Sequence, residues 1–107
     1  MPVERVRTSG REELWVSAAR LDAGGAQRFR EEALGLIPAG AAEVEIDLSR
    51  VEFVDSSGLG ALVGIRKRLG EGRVILSGLG RPVRRVLEVT GLAGVFHIRE
   101  TDDDAPG

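Results

Sequence analysis

The chain has no cysteine and no tyrosine, and it holds one tryptophan, one histidine and one lysine among 107 residues. Without cysteine there are no disulfides, no thiol nucleophile and no thiolate metal site. One tryptophan and three phenylalanines make no stacking platform for bases. Fifteen basic and 17 acidic residues leave a net charge of −2, with no pull toward nucleic acid or an anionic membrane. No nucleic-acid partner is expected. No apolar stretch approaches the ~20 residues of a membrane span. Met1-Pro2-Val3-Glu4-Arg5 lacks the apolar core of a leader peptide. Direct membrane insertion is not expected, and a soluble cytoplasmic domain is.

The chain is 42% hydrophobic and 30% charged, which suits a packed core under a solvated surface. The length fits one domain over residues 1–107, with a core over 3–100 and an acidic tail over 101–107. Val3 to Arg7 and Glu13 to Ala18 read as strands around a turn at Ser9-Gly10-Arg11, with Leu14 and Val16 on one face. Asp22 is placed to cap a helix carrying Ala26, Phe29, Ala33, Leu36 and Ile37 on one side; Pro38 and Gly40 end it. Glu43 to Leu48 alternates, putting Val44, Ile46 and Leu48 inward and three acids outward. Val51 to Val54 is a further apolar run. Arg73 to Ser77 reads as a strand covered on both faces. Pro82 opens a third helix, Gly91 closes it, and Val95 to Ile98 is the last strand. The order is β-β-α-β-α-β-α-β: an α/β fold with a mostly parallel mixed sheet and helices packed on it.

The stretch that organises the chain is Asp55-Ser56-Ser57-Gly58-Leu59-Gly60, where extended chain gives way to a helix over about Ser57 to Leu69. At 100° per residue Leu59, Leu62, Ile65 and Leu69 share one side, with Arg66 leaning toward it. Ser57, Gly60, Ala61, Gly64 and Arg68 share the other. Asp55 or Ser56 is expected to cap the helix start. Each interior glycine costs about 0.5–1 kcal/mol relative to alanine. Two explanations stand: a flat strip on which a partner lands, or glycines packed under another part of the same chain. A phosphate at this helix start would meet free amides and the helix dipole. It would also bring about −1.5 to −2 charge onto the strip.

Enzymatic readings find little support. His97 alternates away from Phe96 and Ile98, toward the surface. Ser56 and Ser57 have no partner base and no Gly-x-Ser-x-Gly frame. Neither Gly58-x-Gly60 nor Gly78-x-Gly80 completes a nucleotide fingerprint. Asp102-Asp103-Asp104 reads as a solvated tail. Asp22, Asp47 and Asp55 suggest a receiver-like magnesium site, but the one lysine, Lys67, lies ten residues into the helix.

The chain resembles STAS domains, specifically bacterial anti-sigma factor antagonists, over about Val3 to Asp104. The resemblance is carried by Val51-Glu52-Phe53-Val54-Asp55-Ser56-Ser57-Gly58-Leu59-Gly60, by Leu21-Asp22 before the first helix, and by Thr90-Gly91-Leu92 after the third. It implies that Ser57 is the phosphoacceptor of a partner that is both anti-sigma factor and serine kinase. It implies that a serine phosphatase restores the protein. No cofactor is expected. The partner surface is expected at Asp22, Asp55, Ser56, Ser57, Gly58, Leu59, Gly60, Ala61 and Gly64. A second expectation is a non-phosphorylated STAS scaffold subunit in a stress-signalling assembly or a lipid-transport complex.

Overall fold

The computed structural model of the chain describes residues 3–8, 11–70 and 72–99. Ser9 and Gly10 of the expected first turn, and the 101–107 tail with its three aspartates, lie outside the described residues. In chain order the elements are β1 (Val3–Thr8), β2 (Arg11–Val16), β3 (Arg20–Leu21), α1 (Ala26–Leu36), β4 (Glu43–Asp47), β5 (Phe53–Val54), α2 (Ser56–Leu69), β6 (Arg73–Ser77), α3 (Arg81–Thr90), a 3-10 turn (Leu92–Gly94) and β7 (His97–Arg99).

Five strands form the main sheet in the order β1-β2-β4-β6-β7. The first pair is an antiparallel hairpin with Val3 opposite Val16. The other three pairings are parallel. Each parallel step moves one strand along the sheet in the same direction. Right-handed crossovers then bring successive helices to the same face. On that face Leu14, Val16, Val44, Ile46, Val74 and Leu76 are all buried. Helices α1 and α2 supply Phe29, Ala33, Leu62 and Ile65 against them, all fully buried, and α3 adds Val83 and Leu87. The expected α/β architecture stands. The expected order needs two additions, β3 and β5, which pair with each other in a sheet of their own.

The opposite face of the main sheet corrects one expectation. Glu43 and Asp47 are half-buried, and Glu45, expected to face outward, is 8% exposed. Its cover is Arg99, whose Nη2 lies 3.2 Å from Glu45 Oε1. Arg99 sits on β7 opposite Ser77, while Glu45 sits on β4 opposite Ile75. The Arg99 side chain therefore crosses β6 between Ile75 and Ser77. This explains why both are buried, as a strand covered on two faces would be, with an arginine stem as the second cover. His97 is exposed on this face, as expected.

Candidate functional site

The site begins with the smallest element of the fold. β3 and β5 contribute two residues each, in parallel, with Arg20 opposite Phe53 and Leu21 opposite Val54. The next residues along the two chains are Asp22 and Asp55, so the Leu-Asp and Asp-Ser-Ser-Gly motifs arrive side by side. The Asp55 amide donates to the Leu21 carbonyl at 3.2 Å. Gly58 then passes against the same carbonyl. A β-carbon there would collide with Leu21 O and would stand 2.6 Å from Val54 Cγ2. Gly58 is thus fixed by close backbone approach.

Asp55 is the N-cap of α2. Its Oδ1 accepts from the amides of Ser57 (2.9 Å) and Gly58 (3.0 Å). Its Oδ2 reaches across to the Ala23 amide at 3.3 Å, tying the Asp22 loop to the helix start. Of the two residues expected to cap, Asp55 does so through its side chain. The Ser56 and Ser57 side chains are exposed and have no hydrogen-bond partner among the described residues. The amides expected to await an anion are already held by a carboxylate.

Asp22 does not cap α1, whose N-cap is Gly25 without a side-chain bond. Its carboxylate closes the turn just ahead. Oδ1 accepts from Gly24 N at 3.1 Å and Oδ2 from Arg20 Nε at 3.1 Å. Its carbonyl accepts from Gly25 and Ala26. The Arg20 guanidinium, then the Gly24 amide, hold the Asp22 carboxyl below its ordinary pKa. Arg20 also lies over the exposed ring of Phe53, 4.4 Å from its centroid. Nothing in sequence spacing links Arg20 to Phe53; only a two-residue strand pairing does.

The expected flat strip on α2 is only partly outward. Ser57 and Gly60 are exposed, and a β-carbon on Gly60 would meet nothing within 4 Å. Ala61, however, is buried at 5%, because α1 and α2 pack side by side and Ala61 lies in their seam. Gly64 is half-buried under Arg30 of α1: a β-carbon there would lie 2.8 Å from Arg30 Nε. Leu59 and Gly58 are buried. Arg66, expected to lean on the core, is exposed. The two glycines therefore differ: Gly60 is open, and Gly64 makes room for an arginine of the same chain.

Two grooves flank Gly60. One lies between α1 and α2 and is lined by Ala23, Ala26, Gln27, Arg30, Ser57 and Ala61. The other lies between α2 and the end of α3, with Ser56, Leu59, Val63, Lys67 and Leu92 on its walls. The Thr90-Gly91-Leu92 motif builds that second wall. The Thr90 hydroxyl donates to Val86 O at 2.8 Å, and Gly91 turns the chain with φ +81°. Leu92 then faces α2. The two hydroxyls thus look into different grooves, and Ser57 shares its own with the Asp22 loop. The receiver-like arrangement does not form: Asp47 accepts from Ser49 N at 2.8 Å, and no three potential metal ligands converge among the described residues.

A family model described as the STAS domain matches residues 17–105. The chain belongs to the STAS domain family. The anti-sigma-B factor antagonist of Listeria monocytogenes is 35% identical over 66 residues, covering 60% of this chain and 58% of that protein. The alignment therefore spans less than two thirds of this curated relative. An anti-sigma factor antagonist from Mycobacterium paratuberculosis has the same fold at a TM-score of 0.82, with 29% identity over 96% of this chain and 88% of that one. The Bacillus cell fate determinant SpoIIAA, solved in a phosphorylated form, matches at a TM-score of 0.67 and 25% identity, over 96% of this chain and 95% of that one.

Proposed function

We propose that the chain is a single STAS domain acting as an anti-sigma factor antagonist, a cytoplasmic protein-binding switch. It docks an anti-sigma factor that is also a serine kinase, through the Asp22 loop and the exposed face of α2 at Ser57 and Gly60. Docking frees the sigma factor. The kinase then transfers phosphate to Ser57. The Ser57 Oγ bonds to the γ-phosphorus of a nucleoside triphosphate held by the partner, and the bond from that phosphorus to the β-phosphate oxygen breaks. The diphosphate leaves, and the hydroxyl proton passes to a base of the partner. A serine phosphatase reverses the change with water, releasing inorganic phosphate.

One observation carries this reading: the exposed Ser57 hydroxyl, without a hydrogen-bond partner among the described residues, opens on the groove it shares with the Asp22 loop. Charge added there falls on the surface where both motifs meet. The chain needs no base of its own. The Asp55 carboxylate at the helix start already accepts three amides.

The test is to incubate the protein with the anti-sigma kinase of its own cell and ATP, then map the phosphate. One phosphate on Ser57, none on the Ser57→Ala variant, and lost kinase binding by Ser57→Asp are expected. Phosphate elsewhere, or undiminished binding by Ser57→Asp, would overturn the switch. Recovery in a large assembly with Ser57 unmodified would favour a scaffold role instead.

A further inference from the structure

We propose that Arg30 is the internal counter-ion that receives the phosphate on Ser57, drawing it down over Gly60. The inference rests on the assignment of Ser57 above and extends it to a residue on another helix.

Arg30 is exposed, but its side chain is laid against the neighbouring helix. Its side chain lies across α2 at Gly64, where a β-carbon would be 2.8 Å from Nε, 3.3 Å from Cδ and 3.6 Å from Cζ. A glycine inside a helix costs about 0.5–1 kcal/mol relative to alanine, and here its absence of side chain admits a guanidinium. Arg30 forms no ion pair or hydrogen bond among the described residues, whereas Arg20 is engaged by Asp22 and Phe53. It lines both grooves beside Gly60, one with Ser57 and one with Ser56 and Lys67.

Ser57, Gly60 and Gly64 fall at i, i+3 and i+7, on one face of α2 about 10 Å long. The residue between hydroxyl and guanidinium is Gly60, above which there is open space. A phosphoserine reaching from one end and an arginine from the other meet over it.

The alternative partners for the phosphate are unfavourable. The Ser57, Gly58 and Ala23 amides are occupied by Asp55. The Asp55 carboxylate itself repels a dianion. The grooves beside Gly60 carry Arg30 from α1 and Lys67 from α2, with neutral Gln27; the Arg20–Asp22 pair in the loop and Asp55 at the cap lie at the Ser57 end. Among the described residues Arg30 is the one cation lining the Ser57 groove, and a guanidinium can engage two phosphate oxygens at once. The phosphate then covers the open strip at Gly60 as well as charging it. A partner that needs that strip would be excluded by volume and by charge together.

The experiment places phosphoserine at position 57 during synthesis and follows its phosphorus resonance through a pH titration. The free group has a second pKa near 6. Replacing Arg30 by glutamine should raise the pKa of the bound phosphate by about 0.5 or more, since an opposite charge favours the dianion. Arg30→Lys should recover part of the difference, and Lys67→Gln should change little. Gly64→Ala, which pushes the side chain away while keeping the charge, should also raise the pKa. Amide spectra confirm that each variant is folded. An unmoved titration in Arg30→Gln, or a larger effect from Lys67→Gln, overturns the assignment of Arg30. Because the phosphate is placed without a kinase, that failure is distinct from failure of a kinase to modify Ser57.

Discussion

Gly58 meets the carbonyl of Leu21 with no room for a side chain between them. The contact joins two motifs through residues 37 positions apart in the chain and seats the helix start against the Leu21 backbone. Gly58→Ala should therefore cost about 1–3 kcal/mol through overpacking against backbone that cannot yield. Gly60→Ala, in open space on the same helix, should stabilise by about 0.5–1 kcal/mol through helix propensity. Urea midpoints of the two variants provide the comparison. If both shift the same way, the interlock is not rigid.

The two polar residues before the helix carry different tasks. Asp55→Ala removes the cap and the link to Ala23, and should cost about 1–2 kcal/mol. Ser56→Ala should stay within about 0.5 kcal/mol, because an exposed hydroxyl without a partner is lost. Asp55→Asn should recover part of the stability, since an amide oxygen still accepts from Ser57 and Gly58. A Ser56→Ala loss as large as that of Asp55→Ala would reassign the cap.

The lowered pKa of Asp22 gives a pH signature. Its folded value lies below its ordinary 3.8, so the stability it contributes is fully present above that value. It is lost as pH falls from there through the folded pKa. The stability gap between wild type and Asp22→Asn should be constant near neutrality and close in that acid window. Arg20→Gln should move the Asp22 carboxyl back toward 3.8 in a carbon-detected titration. No movement would mean that the Gly24 amide alone holds the carboxylate.

Much of this was legible in the chain because burial imposes period. Val44 and Ile46, or Leu62 and Ile65, announce one buried face each, and the helix-strand alternation follows. The Asp55 motif stood out because extended chain met helix there. What stayed hidden depends on contacts that no period encodes. Two-residue strands such as Arg20–Leu21 are too short to alternate. Ala61 and Gly64 look outward on an isolated helix and become inward only when α1 is laid beside it. Arg30 carries no local sign of its position over Gly64, and Glu45 looks solvated until Arg99 folds across the neighbouring strand.

That arginine offers the last test. Arg99 covers β6 in two ways, with an aliphatic stem over Ile75 and Ser77 and with a charge on Glu45. The two contributions are separable. Arg99→Met keeps most of the stem and removes the charge; Arg99→Ala removes both. At ~25 cal/mol per Å², some tens of Å² of apolar surface re-exposed around Ile75 amounts to about 1 kcal/mol. The ion pair, 44% exposed on its arginine side, is screened and adds about 0.5–1 kcal/mol. Stability should therefore fall in the order wild type, Arg99→Met, Arg99→Ala. Urea melts followed by Trp15 fluorescence, at low and at high salt, resolve the terms. The gap between wild type and Arg99→Met should narrow with salt, because salt screens a part-exposed pair. The gap between Arg99→Met and Arg99→Ala should not narrow, because it reports apolar cover. If Met and Ala prove equally destabilising, the stem does not cover β6, and the burial of Ile75 has another cause.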